Sequence, residues 1–195
     1  PNLLVMPIEH HQLETLPYYH LFGQKSHLPS IDLAEKLLNV APDSVSKVFF
    51  NNSGSEANDT AIKIIWYYNN ARGRHQKKKI IGRINGYHGI TLASSSLTGR
   101  SLNHAGFDVP LEKFIHTNNP HYYRFGEDGE TEEDFATRMA NDLDQLIINE
   151  GPETVAAFFA EPIMGAGGVI TPPKTYFEKI QAVLKKHDVL FVADE

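Results

Sequence analysis

Four short segments of this 195-residue sequence carry side chains suited to chemistry. The first is NNSGSEAND at 51–59, set between a strand-like and a helix-like stretch. A Ser53, Gly54, Ser55 turn at a helix start offers free backbone N–H groups, two hydroxyls and the positive end of the helix dipole, which together suit a phosphate dianion. A serine N-cap with an acid in the first turn accounts for the same residues without a ligand. The second segment is GYHG at 86–89. An aromatic ring flanked by glycines at the end of a strand can lie against a planar ligand, with His88 hydrogen-bonding nearby. The plainer alternative is a glycine-flanked loop whose Tyr87 packs into the core. Glu161 and Asp194 end the two clearest apolar strands. Acids there face the crevice where open α/β sheets bind ligands, and once buried they need a cationic or hydrogen-bonding partner. Either one can instead cap the turn that follows. If the two acids faced each other unpaired, repulsion would raise one pKa. A two-carboxylate glycosidase would be built that way, but little else in the sequence supports one.

One ligand can be asked to satisfy all four segments. It would place a phosphate on Ser53, Gly54 and Ser55, a flat ring under Tyr87 and a ring nitrogen against Asp194. Pyridoxal 5'-phosphate has this shape. Its pyridine nitrogen stays protonated beside a carboxylate, and the pyridinium then serves as an electron sink. Other ligand motifs are missing: there is neither a Walker loop nor a GxGxxG, and no His-Glu-x-x-His pattern that would make His88 or another of the ten His a metal ligand. The glycosylation patterns at Asn51 and Asn58 fall inside the proposed phosphate cradle and read as accidental.

These residues require elements to position them, and the apolar spacing supplies helix and strand patterns in alternation. Ile31, Ala34, Leu37 and Leu38 predict one helical face, and Val48, Phe49 and Phe50 a strand. A helix over about 55–70 follows, with Ala57, Ala61, Ile64, Ile65 and Tyr68 as its inner stripe and Gly73 as its stop. Lys77, Lys78 and Lys79 read as a solvated edge before Ile80 and Ile81. A second long helix is predicted over 131–148, carried by Phe135, Met139, Leu143, Leu146 and Ile147. Then come a buried strand at 155–160, a Gly- and Pro-rich loop, a helix at 176–186 and a last buried strand at 189–193. The class is α/β, a mainly parallel sheet with helices on both faces. Residues 1–28 are less regular and read as an arm, leaving 29–195 as a large domain that is incomplete.

Composition removes several function classes. With 18 Lys plus Arg against 24 Asp plus Glu, the net charge of −6 favours neither nucleic acid nor an anionic membrane. The absence of cysteine excludes disulfides, thiolate nucleophiles and cysteine-ligated metals. There is no signal-peptide pattern and no apolar run long enough for a membrane span, so a cytoplasmic location is expected. The sequence opens at Pro1 and stops at Glu195 directly after an apolar run, which leads us to expect a piece of a longer protein.

SGSEANDTAIK at 53–63, GYHG at 86–89, FFAEPIMGAGG at 158–168 and FVADE at 191–195 resemble the class III pyridoxal-phosphate aminotransferases, in particular omega-aminotransferases that use pyruvate as amino acceptor. LPYYHLFGQKSHLPS near the start and PHYYR at 120–124 extend the likeness along nearly the whole chain. The resemblance implies fold type I, a homodimer with shared active sites, and an amine or omega-amino acid as donor. By position, Gly54 and Ser55, with Ser53 adjacent, match the family's phosphate binders. Tyr87 matches its ring-stacking aromatic, with His88 beside it. Asp194 matches the acid on the pyridine nitrogen, and Glu161 an acid that positions the cofactor. Tyr19 and Phe22 look like walls of the substrate pocket. The family's Schiff-base lysine would lie beyond Glu195, so residues 1–195 alone are expected to be inactive. Two rival readings keep the fold: another class III enzyme such as an aminomutase or decarboxylase, or a non-catalytic binding or assembly protein.

Overall fold

The computed structural model describes residues 6–195 and divides into two compact units, one ending at Phe50 and one beginning at Asn51. Of the 1–28 segment, residues 1–5 lie outside the described residues. The first unit holds helices α1 (Met6–Thr15) and α2 (Leu28–Val40). His27 caps α2, its Nδ1 accepting from the Ser30 amide at 3.2 Å, and Pro29 occupies a first-turn position that needs no amide. The α2 face predicted from Ile31, Ala34, Leu37 and Leu38 buries no residue among those described. The strand expected at 48–50 does not form. No partner strand satisfies its backbone among the described residues, and Phe49 is exposed.

The second unit is built on a four-stranded parallel sheet of β1 (Lys79–Arg83), β2 (Phe114–Thr117), β3 (Val155–Ala160) and β4 (Leu190–Ala193), in the order β2-β1-β3-β4. Its helices are α3 (Gly54–Ala71), α4 (Leu92–Leu97), α5 (Ser101–His104), α6 (Tyr122–Phe125), α7 (Glu132–Glu150) and α8 (Tyr176–Lys186). β3 is central and covered on both faces, so all six of its residues are buried and read as a continuous apolar run. On one face Ile81 and Phe158 pack with Phe135, Met139 and Leu143 of α7 and with Ile180 and Leu184 of α8. On the other, Ile80, Ala157 and Phe159 pack with Ile62 and Ile65 of α3 and Leu97 of α4. This is the doubly covered α/β sheet expected from the sequence.

Three expectations need correction. The buried stripe of α3 is Asn58, Ile62, Ile65 and Asn69, while Ile64 and Tyr68 are exposed. The helix is turned toward two amides that find hydrogen-bond partners, which hydrophobic spacing alone does not reveal. Lys77 is 6% exposed and does not form a solvated edge. Its ammonium donates to the carbonyls of Pro152 and His187, and Lys79 donates to the Glu150 carbonyl, so the strand entrances place cations on the carbonyl ends of α7 and α8. β4 alternates in burial, with Phe191 exposed, because among the described residues it has a neighbour on one edge only. No helix among the described residues is long and apolar enough to cross a membrane.

Candidate functional site

The carboxyl ends of β1, β3 and β4 and the amino end of α3 enclose a cleft of about 480 Å³. Ser53, Gly54, Ser55, Tyr87, His88, Glu161 and Asp194 all line it, so the structure gathers these seven sequence-selected residues in one place. Tyr19 and Phe22 belong to the first unit, where they are exposed. A larger cavity of about 650 Å³ lies between residues 73–77, 152–153 and 186–188, at the opposite end of the sheet. It contains none of the selected side chains, and an Arg74–Asp188 ion pair neutralises part of its charge.

The start of α3 shows the expected cap and leaves two amides beyond it without a partner. Ser53 is the N-cap, its Oγ accepting from the Glu56 amide at 3.2 Å. The Ser55 Oγ is also occupied, accepting from the Ile90 amide at 3.0 Å. The Gly54 and Ser55 amides keep no protein acceptor among the described residues, at the positive end of an 18-residue helix. Both residues line the cleft, and a Cβ on Gly54 would meet no atom within 4 Å. Two free N–H groups and the helix dipole make a seat for an anion.

The 86–89 turn is tied down at each residue. The Gly86 amide donates to the Arg83 carbonyl at 2.9 Å, the Tyr87 amide to Glu161 Oε1 at 2.9 Å and the His88 amide to Thr98 Oγ1 at 2.8 Å. Gly89 has φ +125°, and a Cβ there would fall 2.4 Å from Ser55 Oγ, so only glycine lets the turn close onto α3. This leaves the Tyr87 ring partly open to the cleft at 37% exposure, while His88 is buried. Glu161 spans the cleft wall: one carboxylate oxygen accepts from Tyr87, and the other from the Gly165 amide at 2.9 Å.

Asp194 Oδ2 accepts from Asn58 Nδ2 at 2.8 Å and lies 2.7 Å from His88 Nδ1. Burial pushes the Asp194 carboxyl upward, but the hydrogen bonds from His88 and Asn58 outweigh it and hold the group below its ordinary 3.8. With Asp194 ionised, His88 Nδ1 is the donor. Oδ1 of Asp194 has no protein partner among the described residues. Glu161 and Asp194 therefore each have their own donors, and the unpaired acid couple of a glycosidase is not present.

Sequence reasoning missed Asn58. Its Nδ2 donates to the His88 carbonyl at 2.7 Å as well as to Asp194, binding the 86–89 turn and the end of β4 to α3. At 5% exposure it cannot carry a glycan, so the glycosylation match there was indeed accidental. Its position three residues after Ser55, on the same helix face, was the available signal. Asn58→Ala is expected to cost about 1–3 kcal/mol of stability, since it strands a buried carbonyl and removes a donor from a carboxylate. It should also raise the Asp194 pKa. Chemical denaturation, with NMR titration of Asp194, checks both effects, and an unshifted carboxyl resonance would contradict the assignment.

The cleft thus offers an anion seat, an open aromatic face and a charged carboxylate with one free oxygen, in a volume suited to a small cofactor. These features fit pyridoxal phosphate. Residues 5–195 match the protein family described as Aminotransferase class-III. Gamma-aminobutyrate transaminase 1, mitochondrial, of Oryza sativa subsp. indica is 60% identical over 94% of this chain and 36% of its own length. Vanillin aminotransferase of Capsicum frutescens is 59% identical over 94% of this chain and 40% of its own. The omega transaminase from Pseudomonas jessenii, solved in complex with PMP, is 60% identical and superposes with a TM-score of 0.96, covering 99% of this chain and 43% of that one. The chain thus spans 36–40% of the length of these two curated relatives. The family match runs through every element that builds the cleft, and on that ground the chain belongs to the class III aminotransferases, its parallel sheet being that of fold type I.

Proposed function

We propose that the full-length protein moves an amino group from an amine or omega-amino acid to pyruvate, with pyridoxal phosphate held in the cleft described above. When bound, the cofactor supplies a protonated ring that accepts the electron pair left when a substrate carbon loses its proton. The residues of this chain prepare the place for it. The Gly54 and Ser55 amides would hold the phosphate, aided by the dipole of α3. Tyr87 presents its ring face to the flat heterocycle, and Glu161 holds the Tyr87 backbone. Asp194, held ionised, would supply the negative charge that favours the protonated form of the cofactor's ring nitrogen. Asn58 and His88 preserve that charge by donating to the same carboxylate oxygen.

The observation that carries this reading is the ionised, doubly anchored Asp194 in one cleft with two unpartnered helix amides. A homodimer and a cytoplasmic location are part of the same proposal, supported by the family and by the cysteine-free composition. The assignment of Tyr19 and Phe22 to a substrate-pocket wall rests on the resemblance alone. Purified full-length protein, supplied with pyridoxal phosphate, an amine and pyruvate, is expected to form alanine in equimolar amount to the pyruvate consumed. Carbon dioxide release or isomerisation of the amine without pyruvate consumption would overturn the reading.

A further inference from the structure

Arg83 ends β1 with no exposed surface at all. Its Nη2 donates to the Glu161 carbonyl at 2.5 Å, and its guanidinium carbon lies 5.9 Å from the centre of the Phe177 ring. Its Nε and Nη1 are buried without a hydrogen-bond partner. No carboxylate forms an ion pair with it among the described residues, and the neighbouring Tyr176 does not neutralise it: burial pushes that hydroxyl above the ordinary tyrosine range and outweighs the opposing pull of the Arg83 charge and of a contact with its guanidinium. A buried cation with unpaired donors works against folding, and replacing such a group by an apolar side chain of similar size is frequently stabilising. Stability therefore does not explain it.

Its connections suggest another role. The side chain holds the backbone of Glu161, whose carboxylate catches the Tyr87 and Gly165 amides. The Arg83 carbonyl accepts the Gly86 amide and so fixes the start of the same turn. One residue thus grips the Glu161 side and the Tyr87 side of the cleft, from beneath the sheet ends. We propose that Arg83 is a positioning residue, which sets the separation of the Tyr87 turn and the Glu161 loop and thereby the fit of the ring-binding part of the cleft. The cofactor side of this inference rests on the function proposed above.

The test uses the full-length protein with Arg83→Met and Arg83→Lys, and pyridoxal phosphate as the probe. Three readouts are taken: melting of the cofactor-free protein, cofactor affinity by absorbance titration, and hydrogen exchange at the Tyr87 and Gly165 amides. Arg83→Met is expected to melt at or above the wild-type temperature while binding on the order of tenfold more weakly, about the worth of one charged hydrogen bond, and to exchange those two amides faster. Arg83→Lys keeps a charge and one donor to the Glu161 carbonyl, and should recover part of both losses. A merely structural role predicts the opposite pairing: a lowered melting temperature, with faster exchange spread along β1 and β3. That result, or wild-type affinity with unchanged exchange in Arg83→Met, overturns the inference. If the wild-type protein binds no pyridoxal phosphate, the proposed function falls, and exchange at Tyr87 and Gly165 still decides the role of Arg83.

Discussion

Asp194→Asn in the full-length protein is expected to lower kcat for amine-to-pyruvate transfer by roughly 10²–10³-fold, the usual effect of removing one preorganised electrostatic contact from a buried reaction site. The substitution keeps the shape of the side chain and leaves the helix amides and Tyr87 untouched, so cofactor retention should fall much less than turnover. It removes the charge that Asn58 and His88 are arranged to preserve. The pH dependence follows from the lowered carboxyl pKa. Because the folded-state value lies below the unfolded one, the hydrogen bonds to the Asp194 carboxylate add stability above about pH 3.8, and that contribution disappears as pH falls through the lowered value. The stability gap between wild type and Asp194→Asn should therefore be constant at neutral pH and close only in acid. A fall in kcat of less than about tenfold would show that Asp194 does not face the reacting ring.

The second large effect is on folding. Gly99→Ala is expected to destabilise the protein by about 3 kcal/mol, at the upper end of overpacking costs. A Cβ at Gly99 would lie 2.0 Å from the Arg83 carbonyl oxygen and 2.8 Å from its carbon. That carbonyl is not free to retreat, since it already accepts the Gly86 amide, and the Gly99 amide donates to the Gly86 carbonyl at 2.9 Å. The backbone of the 86–89 turn would have to shift as a block. Gly73→Ala is the matched control. At φ +73° it introduces left-handed strain, but its Cβ would meet nothing within 4 Å, so about 1 kcal/mol is expected. Denaturation of both variants decides: equal losses would mean that the contact beneath the turn is not tight.

What the sequence disclosed depended on how local the physics was. β3 and α8 have the boundaries read from hydrophobic runs and turn residues, because each is specified by its own residues. α7 begins with a capping box between Thr131 and Asp134 and ends at Gly151 with φ +85°, both local signals. β2 was not anticipated: four residues that include His116 carry no alternation, and the strand exists because β1 offers it a ladder. The stripe of α3 was misplaced for a similar reason. Asn58 is buried through partners that the spacing cannot show, 30 and 136 positions away, whereas Asn69 is satisfied inside the helix by the Ile65 carbonyl, a bond that apolar spacing does not count. In the cleft, residue types pointed to the ligand edges, namely the serine–glycine turn, Tyr87 and the two acids. Of the supports behind them, Asn58 left only the hint of its helix face, and Arg83 and Gly99 were not legible, since each acts through contacts made only after the chain has folded.

The hydrogen bond from Asn58 to Asp194 spans 136 positions of the chain. During synthesis, at about 5–20 residues per second, roughly 7–27 s separate the making of Asn58 from the making of its partner. Throughout that interval the Asn58 amide lacks its Asp194 partner, and in the last part of it, between synthesis of β3 and of β4, the β3 edge that β4 will cover is open as well. The cleft therefore closes late: its Asp194 wall and the cover on the β3 edge arrive together, with the last residues of the sheet.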